Sequence, residues 1–121
     1  MEKLYISKNS KPKIILEYCD FKDLRHYIDE IRKSGKVVPE SKIKIIIKSL
    51  FRTLDYLKDK RICHRDIKPE NILYNQKTDE LKLIDFEIGH QNQSEDEEME
   101  LWSHSGSLWY RAPETFVGGY D

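Results

Sequence analysis

An apolar stripe downstream of Pro39 most constrains how this chain can fold. Ile43, Ile47, Leu50, Leu54 and Leu57 recur at offsets of four, three, four and three, the spacing that lines up one face of an α-helix. Pro39 suits the first turn of that helix, where a missing N–H costs nothing. Lys42, Lys44, Lys48 and Lys58 fall largely on the opposite side, while Ile46 and Phe51 broaden the stripe. A helix this one-sided is stabilised mainly by packing, so the rest of the chain must bring a surface to cover it.

The flanking segments offer both strands and a second helix. Leu4-Tyr5-Ile6 and Lys13-Ile14-Ile15-Leu16-Glu17-Tyr18 read as strands joined by the polar loop from Ser7 to Pro12. Asp20 is a candidate N-cap, with the carboxylate of Asp23 in the following turn. Leu24, Ile28 and Ile31 continue at helical spacing, and Gly35 can close that helix. Beyond Arg61-Ile62-Cys63 and a polar loop, Ile72-Leu73-Tyr74 and Leu81-Lys82-Leu83-Ile84 form a hairpin pattern around the turn from Asn75 to Glu80. After Gly89 the pattern gives way to Gln, Asn, Ser and acidic residues until Leu108-Trp109-Tyr110. The chain has no internal repeat, and this order predicts an α+β fold.

Composition bounds the function classes. Hydrophobic residues make up 38% and charged ones 36%, and two Trp, seven Tyr and four Phe are enough to build a core. A net charge of −1 argues against non-specific binding to nucleic acid or an anionic membrane. The longest uninterrupted aliphatic run is Ile45-Ile46-Ile47, too short for a transmembrane helix, and Met1 to Tyr5 has no apolar stretch resembling a signal peptide. Cys19 and Cys63 do not make a disulfide framework and read as free thiols. A cytoplasmic location is expected, and no residue pattern sets the oligomeric state.

The chemistry concentrates in His64-Arg65-Asp66-Ile67-Lys68-Pro69-Glu70-Asn71. This stretch matches H-R-D-x-x-x-x-N, a pattern with a chance frequency on the order of 1 in 10⁵ start sites. Asp85-Phe86 follows 19 residues after Asp66, and Ala112-Pro113-Glu114 comes later in the chain. With these three motifs in this order, the chain resembles the eukaryotic protein kinase family, and Lys68-Pro69-Glu70 is similar to its serine/threonine branch. The resemblance implies a partial protein-kinase-like α+β fold over residues 1–121: a mostly helical large-lobe segment with short β-hairpins, containing the hinge, catalytic loop and activation segment.

The resemblance also implies roles. Asp66 would accept the proton of a Ser or Thr hydroxyl on a protein substrate, and Lys68 would sit near the γ-phosphate of ATP. Asn71 and Asp85 would offer the oxygen ligands that Mg²⁺ prefers. Leu16 would occupy the gatekeeper position, the backbone groups of Glu17 and Cys19 would meet adenine, Asp23 the ribose hydroxyls, and Leu73 the underside of the adenine ring. Asp23 also reads as a helix-capping residue, and its two roles can hold together; for Leu16 and Leu73 the alternative is plain core packing. Arg65 would receive an anion from the activation segment, either a carboxylate of the acidic run from Ser94 to Glu100 or a phosphate on Ser103 or Ser105. Ser107 falls where the family commonly has Thr near the catalytic Asp, and Leu108-Trp109-Tyr110-Arg111 resembles the substrate-docking stretch.

Two departures set the competing reading. Position 87 is Glu where the family has Gly, and a side chain restricts the backbone there. The Gly-rich phosphate loop and the strand lysine belong upstream of the hinge, yet no glycine precedes Gly35. Ile45-Ile46-Ile47-Lys48 imitates the lysine motif but lies in the helical stripe. In the family, further helices cover the long helix and an arginine pairs with the acid of Ala-Pro-Glu. The chain is therefore expected to hold about half of a kinase domain, and these residues alone to transfer phosphate weakly. The alternative is a pseudokinase-like or truncated binding module that presents a docking surface without catalysis. Cys63, His64 and His26 lack the paired spacing of a zinc site.

Overall fold

The computed structural model describes residues 3–5, 13–91, 106–113 and 116. The elements run in the order β1 (Lys3–Tyr5), β2 (Lys13–Ile15), β3 (Lys22–Asp23), α1 (Leu24–Lys33), α2 (Glu40–Asp59), β4 (Ile62–Cys63), β5 (Ile72–Tyr74), β6 (Leu81–Leu83) and β7 (His90–Gln91). Short 3₁₀ turns add Pro69–Asn71 and Leu108–Tyr110. Helices and small antiparallel sheets make this an α+β chain. Glu114, Ser103, Ser105 and the acidic run from Ser94 to Glu100 lie outside the described residues.

β1 pairs with β2 as the hairpin pattern predicted, though each strand is only three residues long. α1 begins later than expected. Its N-cap is Asp23, whose Oδ1 accepts the His26 amide at 2.7 Å, so Asp20 stays outside the helix. Asp23 wins because its extended backbone (φ −69°, ψ 157°) turns the carboxylate over the first turn. At the other end Gly35 adopts φ +70° and donates to Arg32 O at 2.9 Å, the left-handed closure that favours glycine.

α2 follows Pro39, which sits at the N-cap. Its packed line is rotated from the predicted stripe. Ile46 and Leu57 are buried, Leu50 packs against the core, and Ile43, Ile47 and Phe51 are exposed. The reason is placement: α2 rests on β4 and β6, which cover one edge of an apolar face wider than themselves. Ile43, Ile46 and Ile47 meet Leu24, Tyr27 and Ile28 across a groove of about 420 Å³ between the helices. Ile45-Ile46-Ile47-Lys48 lies wholly on α2, as the stripe required. Among the described residues, no helix is long and apolar enough to cross a membrane.

The central sheet has the order β3-β5-β6. Ile72 faces Leu83 and Tyr74 faces Leu81, the register of the predicted hairpin. The core gathers Leu24, Tyr27, Ile46, Ile72 and Tyr74. Tyr74 is 2% exposed, and its ring lies 5.1 Å from that of Tyr27. Its hydroxyl donates to Asp79 Oδ1, which also takes Lys42 Nζ at 2.6 Å. This half-buried polar bridge ties the hairpin turn to the start of α2. Burial, then Asp79, raises the Tyr74 phenol well above its ordinary pKa. Two pairings escaped the sequence reading: β3 with β5, and β4 with β7. Both involve two-residue strands, too short for alternation to show.

Candidate active site

The loop between β4 and β5 is built around His64, a side chain only 3% exposed. Its Nε2 lies 2.9 Å from Ile84 O, an acceptor, and its Nδ1 accepts the Asp66 amide at 3.2 Å. The ring therefore carries its hydrogen on Nε2. It packs against Phe86 with centroids 4.5 Å apart. One imidazole thus joins the Asp66 loop to the Asp85-Phe86 stretch, and a second bond, Ile84 N to Asn71 O at 2.9 Å, reinforces the junction.

Asp66 is the most heavily bonded carboxylate of the site. Its Oδ2 accepts Lys68 Nζ at 2.6 Å and Asn71 Nδ2 at 3.0 Å, while its Oδ1 accepts the Ser107 amide at 2.9 Å. Lys68 Nζ also donates to Ser107 Oγ at 2.9 Å. Burial acts to raise the Asp66 pKa, but the hydrogen bonds from Lys68 and Ser107 outweigh it and bring the carboxyl down to about 2. The same pairing raises Lys68, with Glu70 and Asp85 adding to the effect. Lys68, Asn71 and Ser107 are thereby gathered around Asp66, and the charge of Asp85 acts on Lys68.

The sign of the pH dependence follows. A depressed carboxylate stabilises the fold fully above its unfolded pKa, and loses that contribution as the pH falls through its folded value. The Asp66 contribution, roughly 1–2 kcal/mol after allowance for solvent screening, is expected above about pH 5 and lost towards pH 2. Urea midpoints measured from pH 5 to pH 2 should fall further in the native chain than in Asp66→Asn. Parallel curves would contradict the assignment.

Backbone strain collects here too. Arg65 and Asp85 adopt φ values of 71° and 66°, uncommon for residues with side chains and frequent at functional sites. Glu87 is not among the positive-φ residues. In this conformation the left-handed step falls on Asp85, so position 87 carries no requirement for glycine.

The donor chemistry fits a hard cation. Asn71 is buried and its Nδ2 is committed to the backbone and side chain of Asp66, which leaves Oδ1 as its ligand atom. Asp85 adds a carboxylate whose charge reaches Lys68. Mg²⁺ suits one or two such oxygens completed by phosphates and water. Zinc does not: among the described residues no three His, Cys, Asp or Glu side chains cluster, and His64 has both nitrogens engaged.

Of the predicted nucleoside residues, the structure brings Asp23, Leu73 and Glu17 to the central sheet but not Leu16. Asp23 and Leu73 are direct partners between β3 and β5, and Leu73 faces Lys82 on β6. Lys82 Nζ holds Glu17 Oε1 at 2.8 Å, which lowers the Glu17 pKa. Glu17 and Cys19 lie in the irregular connection before β3, with Cys19 half-buried and Leu16 61% exposed. Sequence reasoning missed Lys82, whose only signal is its place opposite Leu73. It also missed Gly106 and Arg25, which need the tertiary contacts to be seen.

The chain also matches a known family. The family model for the protein kinase domain matches residues 3–120. The chain belongs to the protein kinase family. It is 33% identical over 116 residues to cyclin-dependent kinase 1 of Encephalitozoon cuniculi, covering 93% of this chain and 37% of that protein. It is 38% identical over 110 residues to calcium-dependent protein kinase 3 of Plasmodium yoelii yoelii, covering 89% and 19%. Cyclin-dependent kinase B2-2 of Arabidopsis thaliana is 31% identical over 106 residues, covering 87% and 32%. The chain therefore spans well under half the length of these relatives.

Proposed function

We propose that the chain forms the hinge, catalytic loop and activation segment of a serine/threonine protein kinase that uses ATP and Mg²⁺. The observation that carries this reading is the Asp66 carboxylate, ionised at neutral pH and held through both oxygens by Lys68, Asn71 and Ser107. Such a group can orient a Ser or Thr hydroxyl and take its proton as the oxygen bonds to the γ-phosphorus and ADP departs. Lys68 would move its charge onto the phosphate. Asn71 Oδ1 and Asp85 would hold the metal, which supplies charge neutralisation at the phosphates. Glu17, Cys19, Asp23 and Leu73 would receive the nucleoside, with Leu16 beside the adenine. Arg65, the strained neighbour of Asp66, would anchor the activation segment. The names of the relatives agree with this class of reaction.

The test is transfer of labelled γ-phosphate from ATP to a mixture of Ser/Thr-containing proteins, with Mg²⁺ present and Asp66→Asn as control. A loss of about 10²–10⁴-fold in Asp66→Asn, the usual worth of a general base, is expected. Labelling unchanged by that substitution would sink the reading. Mg²⁺-dependent ATP binding without transfer would favour the binding-module alternative.

A further inference from the structure

Arg25 stands outside every motif, yet it joins three segments. From α1 its Nε donates to Glu70 Oε1 at 2.9 Å and its Nη2 donates to the Tyr110 hydroxyl. Glu70 precedes Asn71, whose amide holds Asp66. Tyr110 ends the 3₁₀ turn whose amide returns to Ser107 O at 2.9 Å, and the Ser107 amide holds the other oxygen of Asp66. The contacts close a ring: Arg25, Glu70, Asn71, Asp66, Ser107, Tyr110 and back to Arg25.

We propose that Arg25 is a positioning residue which sets the 106–111 stretch in register with Asp66, and so places the protein substrate's hydroxyl. The proposal rests on the kinase reading above for its functional part. The fork geometry is what makes arginine necessary. Two different nitrogens of one planar group reach two acceptors on separate segments, a fixed spacing between donors that a single ammonium nitrogen does not supply. Arg25 acts on Asp66 from both sides: through Glu70 and Asn71 on Oδ2, through Tyr110 and Ser107 on Oδ1. It does so without touching the reacting atoms. Its helix starts at Asp23, the ribose candidate, so one short element would serve the nucleotide side and the protein side together.

Hydrogen–deuterium exchange on the full chain reads the ring directly and needs neither nucleotide nor turnover. In Arg25→Met and in Tyr110→Phe the Ser107 and Tyr110 amides are expected to exchange about tenfold faster, the scale of one charge-assisted bond. The His26 amide, bonded to Asp23, reports whether α1 is intact. The double variant is expected to match Arg25→Met, and Arg25→Lys to behave like Tyr110→Phe because it keeps the Glu70 pair and loses the fork. A purely structural fastening of α1 would instead give additive effects and rescue by lysine; either result overturns the proposal, as does unchanged exchange at Ser107 in Arg25→Met. Where transfer is measurable, KM for the protein substrate should rise about tenfold in Arg25→Met with KM for ATP unchanged. A chain with the expected exchange pattern and no Asp66-dependent transfer would keep the ring and lose the kinase reading. Asp66-dependent transfer with unaltered exchange would do the reverse.

Discussion

Gly106→Ala is expected to lift the 106–111 stretch off the catalytic loop. A Cβ on Gly106 would clash with the backbone oxygen of Arg65, and φ is +89°. The neighbouring atom is backbone, part of a loop already strained at Arg65, so it cannot yield as a flexible side chain would. The left-handed conformation costs an alanine roughly 1–2 kcal/mol, and loss of the Ser107 bond to a charged carboxylate adds about 1.5–3 kcal/mol. The two together come to roughly 2.5–5 kcal/mol, and both fall on this segment, so it should detach while the core persists. Two measurements check this. The Ser107 amide should lose protection from exchange, and the Asp66 carboxyl, followed by NMR titration, should rise from about 2 towards its ordinary value. A protected Ser107 amide in the alanine variant would refute it.

Tyr74→Ala is expected to cost more, and to cost it globally. The side chain is almost wholly buried, packs its ring on Tyr27 and anchors Asp79 and, through it, Lys42. Removing a buried aromatic costs about 3–5 kcal/mol, and the loss of the hydroxyl takes from Asp79 one of its two side-chain partners among the described residues, Lys42 being the other. Set against the 5–15 kcal/mol typical of a whole domain, this brings the chain to the edge of unfolding. Tyr74→Phe keeps the packing and should cost about 1–2 kcal/mol. Urea midpoints for the two variants separate the contributions. A cost below about 2 kcal/mol for Tyr74→Ala would show that the core sits elsewhere.

These residues show what the sequence could and could not disclose. Asp66, Lys68 and Asn71 were legible because their chemistry is packed into six consecutive positions, and a loop that short brings them together whatever surrounds it. The Ile72 to Ile84 hairpin was legible from alternation around a polar turn. The exposed side of α2 was not, because periodicity fixes that a helix has an apolar face but not how much of it a neighbour reaches. The Asp23 cap displaced the expected Asp20 cap because the two-residue strand β3 occupies the intervening chain. Arg25 and Gly106 had no local signal at all, and Lys82 had only its hairpin place opposite Leu73. Each matters through a residue at least 41 positions away.

That distance along the chain has a kinetic consequence. α1 and α2 close their bonds over four residues, whereas the Asp66–Ser107 and Arg25–Tyr110 bonds close loops of 41 and 85 residues. Loop-closure entropy and contact order place the Arg25–Tyr110 closure last, because core pairs such as Tyr27–Tyr74 close shorter loops. During folding the helices and the β5–β6 hairpin should therefore consolidate first, with the 106–111 stretch docking as a final, separable step. The same step should be the first to reverse under mild denaturant. The chain would then pass through a species whose core is native and whose Asp66 still lacks its Ser107 bond.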